Sequence, residues 1–272
     1  MHHNPTPLND HGVLEIAGID ALKFAQAQFM NDVAALADGE WQWNGWLNPK
    51  GRLIALFVLI RRDAETLWLL LPDHRPADLA DALGKYVFRS KAKLVARGDL
   101  HVEGHWDAAS AAPGSPAPDV FALPWPGGRR IDIHPGSPIH STDGDVEALG
   151  RWKQADFNAG IPRLDATQSA QWTPQQLSLD RLQAYSVRKG CYPGQEIVAR
   201  THFLGQAKRG LRLLEADAGI APGIAPGSEV GDGERGIGQI VASAGNLALA
   251  VVNLEAVPRE AAGSPVRALE FN

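Results

Sequence analysis

The stretch from Leu53 to Ile60 is the longest strongly apolar run of the chain, about eight residues and far short of the ~20 that cross a bilayer as a helix. A second apolar run, Thr66 to Leu71, follows the polar segment RRDAE. Two runs of strand length joined by a short polar connection predict a β-hairpin. The sequence NPKG, Asn48 to Gly51, is a strong turn signal leading into it.

Around this hairpin the pattern alternates between strand and helix periods. Gly12 to Ala17 reads as a short strand, and Asp20 as a helix cap before Leu22, Ala25, Phe29, Val33 and Leu36, which recur at helical spacing. Trp41 and Trp43 alternate with polar residues as in a half-buried strand. Leu79, Leu83 and Val87 mark a second helix, and Lys93 to Ala96 a strand. Ala108 to Pro118, poor in residues that pack, reads as an exposed connection. Ile131 and Ile133 flank Asp132 in a strand, and Val146 to Ala159 reads as a helix carrying Leu149, Trp152 and Phe157. A helix start is expected at Thr173-Pro174-Gln175-Gln176. Beyond Leu204, Leu211 to Leu214, Gly238 to Ser243 and Leu247 to Val252 are short strands broken by Gly, Pro and Asp, as in a small antiparallel barrel or sandwich. This mixed order with hairpins implies an α+β fold, with a boundary near Gly205 to Gly210. No Walker or Rossmann glycine loop follows any strand, and no repeat is visible.

The chain has 272 residues, 44% of them hydrophobic and 21% charged, as in an ordinary soluble protein. A net charge of −5 argues against direct nucleic-acid binding by the protein as a whole. One cysteine excludes an intramolecular disulfide and suits a reducing compartment. The opening MHHNPTPLND has neither a secretory nor a transit pattern, so a cytoplasmic, membrane-free protein is expected.

Residues suited to chemistry converge on Arg188 to Leu204, RKGCYPGQEIVARTHFL. Cys191 follows Arg188, Lys189 and Gly190 and precedes Tyr192, Pro193 and Gly194, with a helix expected from Gln195. A thiol beside cations and just before a helix start is in surroundings that favour the thiolate. Free cysteine is more often a small buried hydrophobe, but here the neighbours favour an accessible thiol. A lone cysteine cannot make a structural zinc or cluster site, so no metal site is assigned and any cluster needs ligands from a second molecule. His202 is near in sequence, though spacing alone does not make a Cys–His pair. Lys189, Glu196, Arg200, Lys208 and Arg209 form a charged cluster, either a solvated face with a Glu196–Arg200 pair or a recognition site for an anion. Of eight tryptophans, Trp152 is the candidate for stacking on a flat heterocycle.

KGCYPGQE, followed by IVART and FLG-x-x-KR, resembles the signature of the YgfZ family, folate-binding relatives of the glycine-cleavage T-protein involved in iron–sulfur cluster biogenesis. GIDALKFAQAQFMNDV, NPKGR, KYVFRSK, NAGIPRLD and TPQQLSLDRL resemble further landmarks of that family in the same order, across nearly the whole chain. The resemblance implies a T-protein-like ring: two interleaved α+β folate-binding subdomains over residues 1–205 and a C-terminal barrel over 206–272. It implies a tetrahydrofolate ligand, and the chain is expected to be a monomer. The implied partners are iron–sulfur enzymes or cluster-assembly proteins, with an indirect link to tRNA modification. Cys191 falls on the family's motif cysteine and Trp152 on a tryptophan placed at the folate. In this reading Lys189 lowers the pKa of the thiol, Gln195 and Glu196 order the loop, and Arg200 pairs with Glu196 or meets an anion. Two departures stand out. The aminomethyltransferase acid is absent from Gly51-Arg52-Leu53-Ile54-Ala55-Leu56, which argues against aminomethyl transfer. The acid that relatives place before Ala-Gly-Ile-Pro is Asn158 here, which loses a charge-assisted grip on a pterin. The expected function is a folate-binding accessory factor for iron–sulfur enzymes, working through Cys191. A folate-dependent one-carbon transferase and a tRNA-binding module are the alternatives.

Overall fold

The computed structural model describes residues 5–106, 120–136, 143–205, 207–216 and 224–272, so the Ala108 to Pro118 connection lies outside it. In chain order the first part runs β1 (Thr6–Pro7), β2 (His11–Ala17), α1 (Ala21–Gln28), β3 (Trp41–Leu47), β4 (Leu53–Arg61), β5 (Thr66–Pro72) and α2 (Pro76–Gly84). It continues with β6 (Lys93–Ala96), β7 (Leu100–His105), β8 (Phe121–Trp125), β9 (Arg129–Pro135), α3 (Asp143–Asn158) and α4 (Gln195–Leu204). The last part is β10 (Arg209–Ala216), β11 (Glu229–Gly231), β12 (Gly236–Ala244), β13 (Leu247–Asn253), β14 (Glu260–Ala261) and β15 (Ser264–Leu269).

The apolar hairpin is real, and its lack of alternation has a cause. β4 and β5 lie inside a five-stranded sheet of order β3-β4-β5-β2-β6, covered on both faces. Leu56, Val58 and Ile60 enter one core, while Ala55, Phe57 and Leu59 enter another that contains Phe24 of α1 and Leu79 and Leu83 of α2. A strand buried on both faces has no polar side to show. The first core is completed by a four-stranded sheet, order β1-β7-β9-β8, through Leu100, Val102, Leu123, Ile131 and Ile133, and by Trp152 and Phe157 of α3. The C-terminal strands close into a six-stranded antiparallel barrel, β10-β13-β12-β11-β14-β15, with its own interior. The barrel is pinned to α3 where the Asn272 amide donates to the Asn158 carbonyl at 2.7 Å.

A buried charge network fastens α3 to both sheets. Asp156, 0% exposed, accepts from Trp125 Nε1 at 2.8 Å, Arg129 at 2.9 Å and Arg163 at 2.9 Å. Arg163 also donates to Asp73 and Asp10, and Lys153 reaches the same two acids. Burial alone would raise the Asp10 carboxyl; His11, Arg163 and Lys153 outweigh it and hold the group far below the ordinary carboxylate range.

Three local expectations are corrected. Asp20 does not cap α1 with its side chain; its carboxylate accepts from the Lys91 amide at 2.7 Å. The helical face expected to run through Leu36 stops at Gln28, after which Phe29 turns extended and bridges Trp46. The segment from Thr173 is a series of turns rather than a helix, with Ser178 and Gln183 at φ +50.

Candidate functional site

The motif is built on the NPKG turn. Asn48 Oδ1 accepts from the Lys50 and Arg52 amides, and Gly51 completes the turn at φ +68. Gly194, at φ +79, lies flat on it: a Cβ there would sit 2.6 Å from the Asn48 carbonyl oxygen and 2.7 Å from Gly51 Cα. Glycine is therefore required at 194 both for backbone conformation and for approach. The Gln195 amide donates to the Tyr192 carbonyl and the Ile197 amide to the Gly194 carbonyl, so these two amides are spent on closing the turn. Gln195 Nε2 donates to the Lys189 carbonyl at 3.1 Å. The Tyr192 ring is buried with its hydroxyl donating to the Ser186 carbonyl, and burial raises its pKa. Cys191 stands exposed on this braced turn.

Lys189 faces the other way. It is 6% exposed, and its ammonium donates to the carbonyls of Gln26 and Phe29 at 2.6 Å each and of Asn31 at 3.0 Å. With three donors spent at the C-terminal end of α1, none remains for the thiolate. Its role is to lock the motif loop onto α1. Burial pushes its pKa down to about 8 against the pull of Asp32. The folded value lies below the unfolded ~10.4, so the unfolded chain binds more protons in that window and the site contributes stability that grows as pH rises. Compared with Lys189→Met, the wild type should gain in relative denaturation midpoint on raising the pH from below 8 towards 10, as read by urea titration. A pH-independent difference would contradict a charged buried Lys189.

Beside the motif is a cavity of about 680 Å³ between β3, the 182–188 segment and α4. Trp41, Trp43 and Tyr185 give it aromatic walls, Arg188 and His202 stand at its edge, and Gln42 also lines it, its Nε2 buried without a hydrogen-bond partner among the described residues. A second hollow of about 390 Å³ shares Tyr185 and His202 and adds Thr201, Arg209 and Gln175, whose Oε1 is likewise buried and unpartnered. Each hollow lies in the size range of small-molecule sites, about 300–1,000 Å³. A hollow of about 720 Å³ on the barrel, from Asp232 to Arg259, includes no motif residue.

A protein of Klebsiella pneumoniae called tRNA-modifying protein YgfZ is 30% identical over 260 residues, 87% of this chain and 79% of that protein. The chain belongs to the YgfZ family. The YgfZ of an Enterobacter species is 31% identical over 253 residues, 84% of this chain and 76% of its own, and an uncharacterised Haemophilus influenzae protein is 34% identical over 210 residues, 76% and 72%. No family model matches. The crystal structure of the glycine cleavage system aminomethyltransferase T from Bartonella henselae superposes with a TM-score of 0.71 over 99% of this chain and 85% of that one, at 14% identity. The chain therefore has the T-protein fold.

Several of the expected site residues lie elsewhere than the cleft. Trp152 is 0% exposed, its ring against Gly104, edge-on to Trp106 at 5.4 Å and under the Arg129 guanidinium at 4.3 Å. No face of it is free to stack on a ligand. Asn158 makes no side-chain hydrogen bond among the described residues; the acid near this position is Asp156, turned into the core. Arg200 and Glu196 are both exposed and form no ion pair with each other. Ala55 and Leu56, where the aminomethyltransferase acid is absent, are 3% and 4% exposed in the two cores. The cleft residues Gln42, Trp41 and Tyr185 escaped sequence reasoning. Only the half-buried alternation around Trp41 and Trp43 hinted at them.

Proposed function

We propose that this protein is a cytoplasmic, non-catalytic folate-binding accessory factor of tRNA modification that supports iron–sulfur enzymes through Cys191. The observation that carries the reading is the exposed thiol on a braced turn beside an aromatic cleft with orphaned amides. The cleft residues fit a reduced pterin: Trp41 and Tyr185, both partly exposed, offer faces for a flat ring, and the side chains of Gln42 and Gln175, each with one polar atom buried and unpartnered, can turn a donor and an acceptor towards it. Arg188 and Arg209 are cations suited to the carboxylates of the folate tail. Folate would supply a one-carbon or redox-active pterin; this chain would orient it.

Cys191 is an external ligand or nucleophile. It can meet a cluster, a persulfide or a partner thiol, with the remaining ligands coming from that partner. Ile197 and Phe203, 38% and 67% exposed on α4, offer such a partner apolar contact. The T-protein relationship and the YgfZ names of the relatives support the folate and tRNA parts of this reading. The buried apolar pair Ala55 and Leu56 supports the absence of aminomethyl transfer.

Titrating tetrahydrofolate should quench tryptophan fluorescence saturably in the wild type. Gln42→Ala should bind about tenfold more weakly, as expected for one buried hydrogen bond, and Trp41→Phe should reduce the quench amplitude. An unchanged isotherm in both variants would remove folate from this cleft.

A further inference from the structure

β7 and β9 pair antiparallel with His101 opposite His134 and Glu103 opposite Asp132. Leu100, Val102, Ile131 and Ile133 point into the core, so the intervening residues of both strands share the outer face. That face carries His101, Glu103 and His105 on one strand and Arg130, Asp132 and His134 on the other. None of them lines the cleft.

The two carboxylates are directly opposed, a destabilising arrangement for a cross-strand pair unless each is neutralised. Asp132 is provided for: Arg130 holds it through Nε at 2.8 Å and a terminal nitrogen at 2.9 Å, and His105 Nε2 lies 3.1 Å away. Among the described residues Glu103 has only imidazoles, His134 Nε2 at 3.4 Å and His101 Nε2 at 3.8 Å. The three side chains are only 15%, 15% and 23% exposed for His101, Glu103 and His134, so water offsets little of this. His101 makes no hydrogen bond among the described residues, and its Nδ1 is buried and unpartnered. The rings of His101 and His134 have centroids 3.5 Å apart, nearer than the ~4.5–7 Å of ordinary aromatic pairs. Two imidazoles crowded this closely beside one shared acid are arranged as convergent donors.

One potential ligand atom from each of the three lies within 4.8 Å of the others. Bonds of about 2.1 Å to a tetrahedral ion put its ligands about 3.4 Å apart, so rotamer adjustments of about an ångström close the set. We propose that His101, Glu103 and His134 form a binding site for a divalent transition-metal ion. Two nitrogens and one carboxylate oxygen are a borderline donor set that suits zinc or ferrous ions and leaves coordination positions open. Asp132, held by Arg130 and His105, lies outside the ligand set.

The test uses the full chain carrying His2→Ala and His3→Ala, which removes the adjacent N-terminal histidines as a competing site. After chelator treatment, Zn2+ titrated by calorimetry should bind with one equivalent. Co2+ should develop a visible ligand-field absorption that Zn2+ then abolishes. Loss of even an outer partner costs roughly 10–100-fold in metal affinity, so His134→Ala and Glu103→Gln should each weaken binding at least that much. His74→Ala should leave it unchanged. Independently of whether the variants fold, Zn2+ should protect His101 and His134 of the parent from carbethoxylation, read by mass spectrometry. No stoichiometric binding, unaltered binding in the ligand variants, or unprotected histidines would overturn the site.

Discussion

Replacing Asp156 by Ala should lower the unfolding free energy by about 3–5 kcal/mol, the cost of removing one member of a buried ionic cluster. The carboxylate is fully buried and serves three donors at once, the Trp125 indole and the guanidiniums of Arg129 and Arg163. Without it Arg129 retains, among the described residues, only the Pro126 and Trp152 carbonyls, and a positive charge 2% exposed is left without a counter-ion there. Arg163 keeps Asp73 and Asp10, so the damage concentrates on Arg129 and Trp125. Asp156→Asn should recover part of the loss by restoring one acceptor. Urea unfolding followed by tryptophan fluorescence measures both. A change under about 1 kcal/mol for Asp156→Ala would mean that the cluster contributes little beyond packing.

That cluster marks where sequence reading ran out. The sheets and the barrel were legible because burial imprints itself locally: the unbroken run of β4, the alternation in β9, and the short strands after Leu204. The end of α1 was not. Leu22, Ala25, Phe29, Val33 and Leu36 keep a helical period, yet the helix stops at Gln28. The carbonyls beyond it are satisfied by Lys189, whose ammonium reaches Phe29 and Asn31 from the motif loop. A contact so distant in sequence leaves no trace in a local window. The same physics misplaced Lys189, which looked like a partner of the thiol because it is two residues away in sequence. Asp156 was overlooked because an acid on a helix reads as solvent-facing, and its partners come from β8, β9 and the segment after α3. The exposure of Cys191 was legible from its neighbours and the cleft was not, since its walls come from β3, the 182–188 segment and α4.

The glycines flanking Cys191 separate presentation of the thiol from its chemistry. Glycine lets a backbone approach another body closely. At Gly190 nothing lies within 4 Å of a would-be Cβ, so Gly190→Ala should change stability by no more than about 0.5 kcal/mol. At Gly194 the close approach is already used, against the chain's own Asn48–Gly51 turn. Gly194→Ala meets backbone atoms at 2.6–2.9 Å that cannot rotate away, and adds left-handed strain of about 1–2 kcal/mol. The start of α4 must then lift from the turn, carrying Cys191 with it. The expected result is a stability loss of about 2 kcal/mol or more together with failure to restore iron–sulfur enzyme activity in a strain lacking the protein. Cys191→Ser should fail in the same strain while unfolding at the wild-type midpoint. If Gly194→Ala complements fully, the braced turn is dispensable. If Cys191→Ser complements fully, the thiol is not the working group, and the exposed cysteine is only a surface residue on a well-made turn.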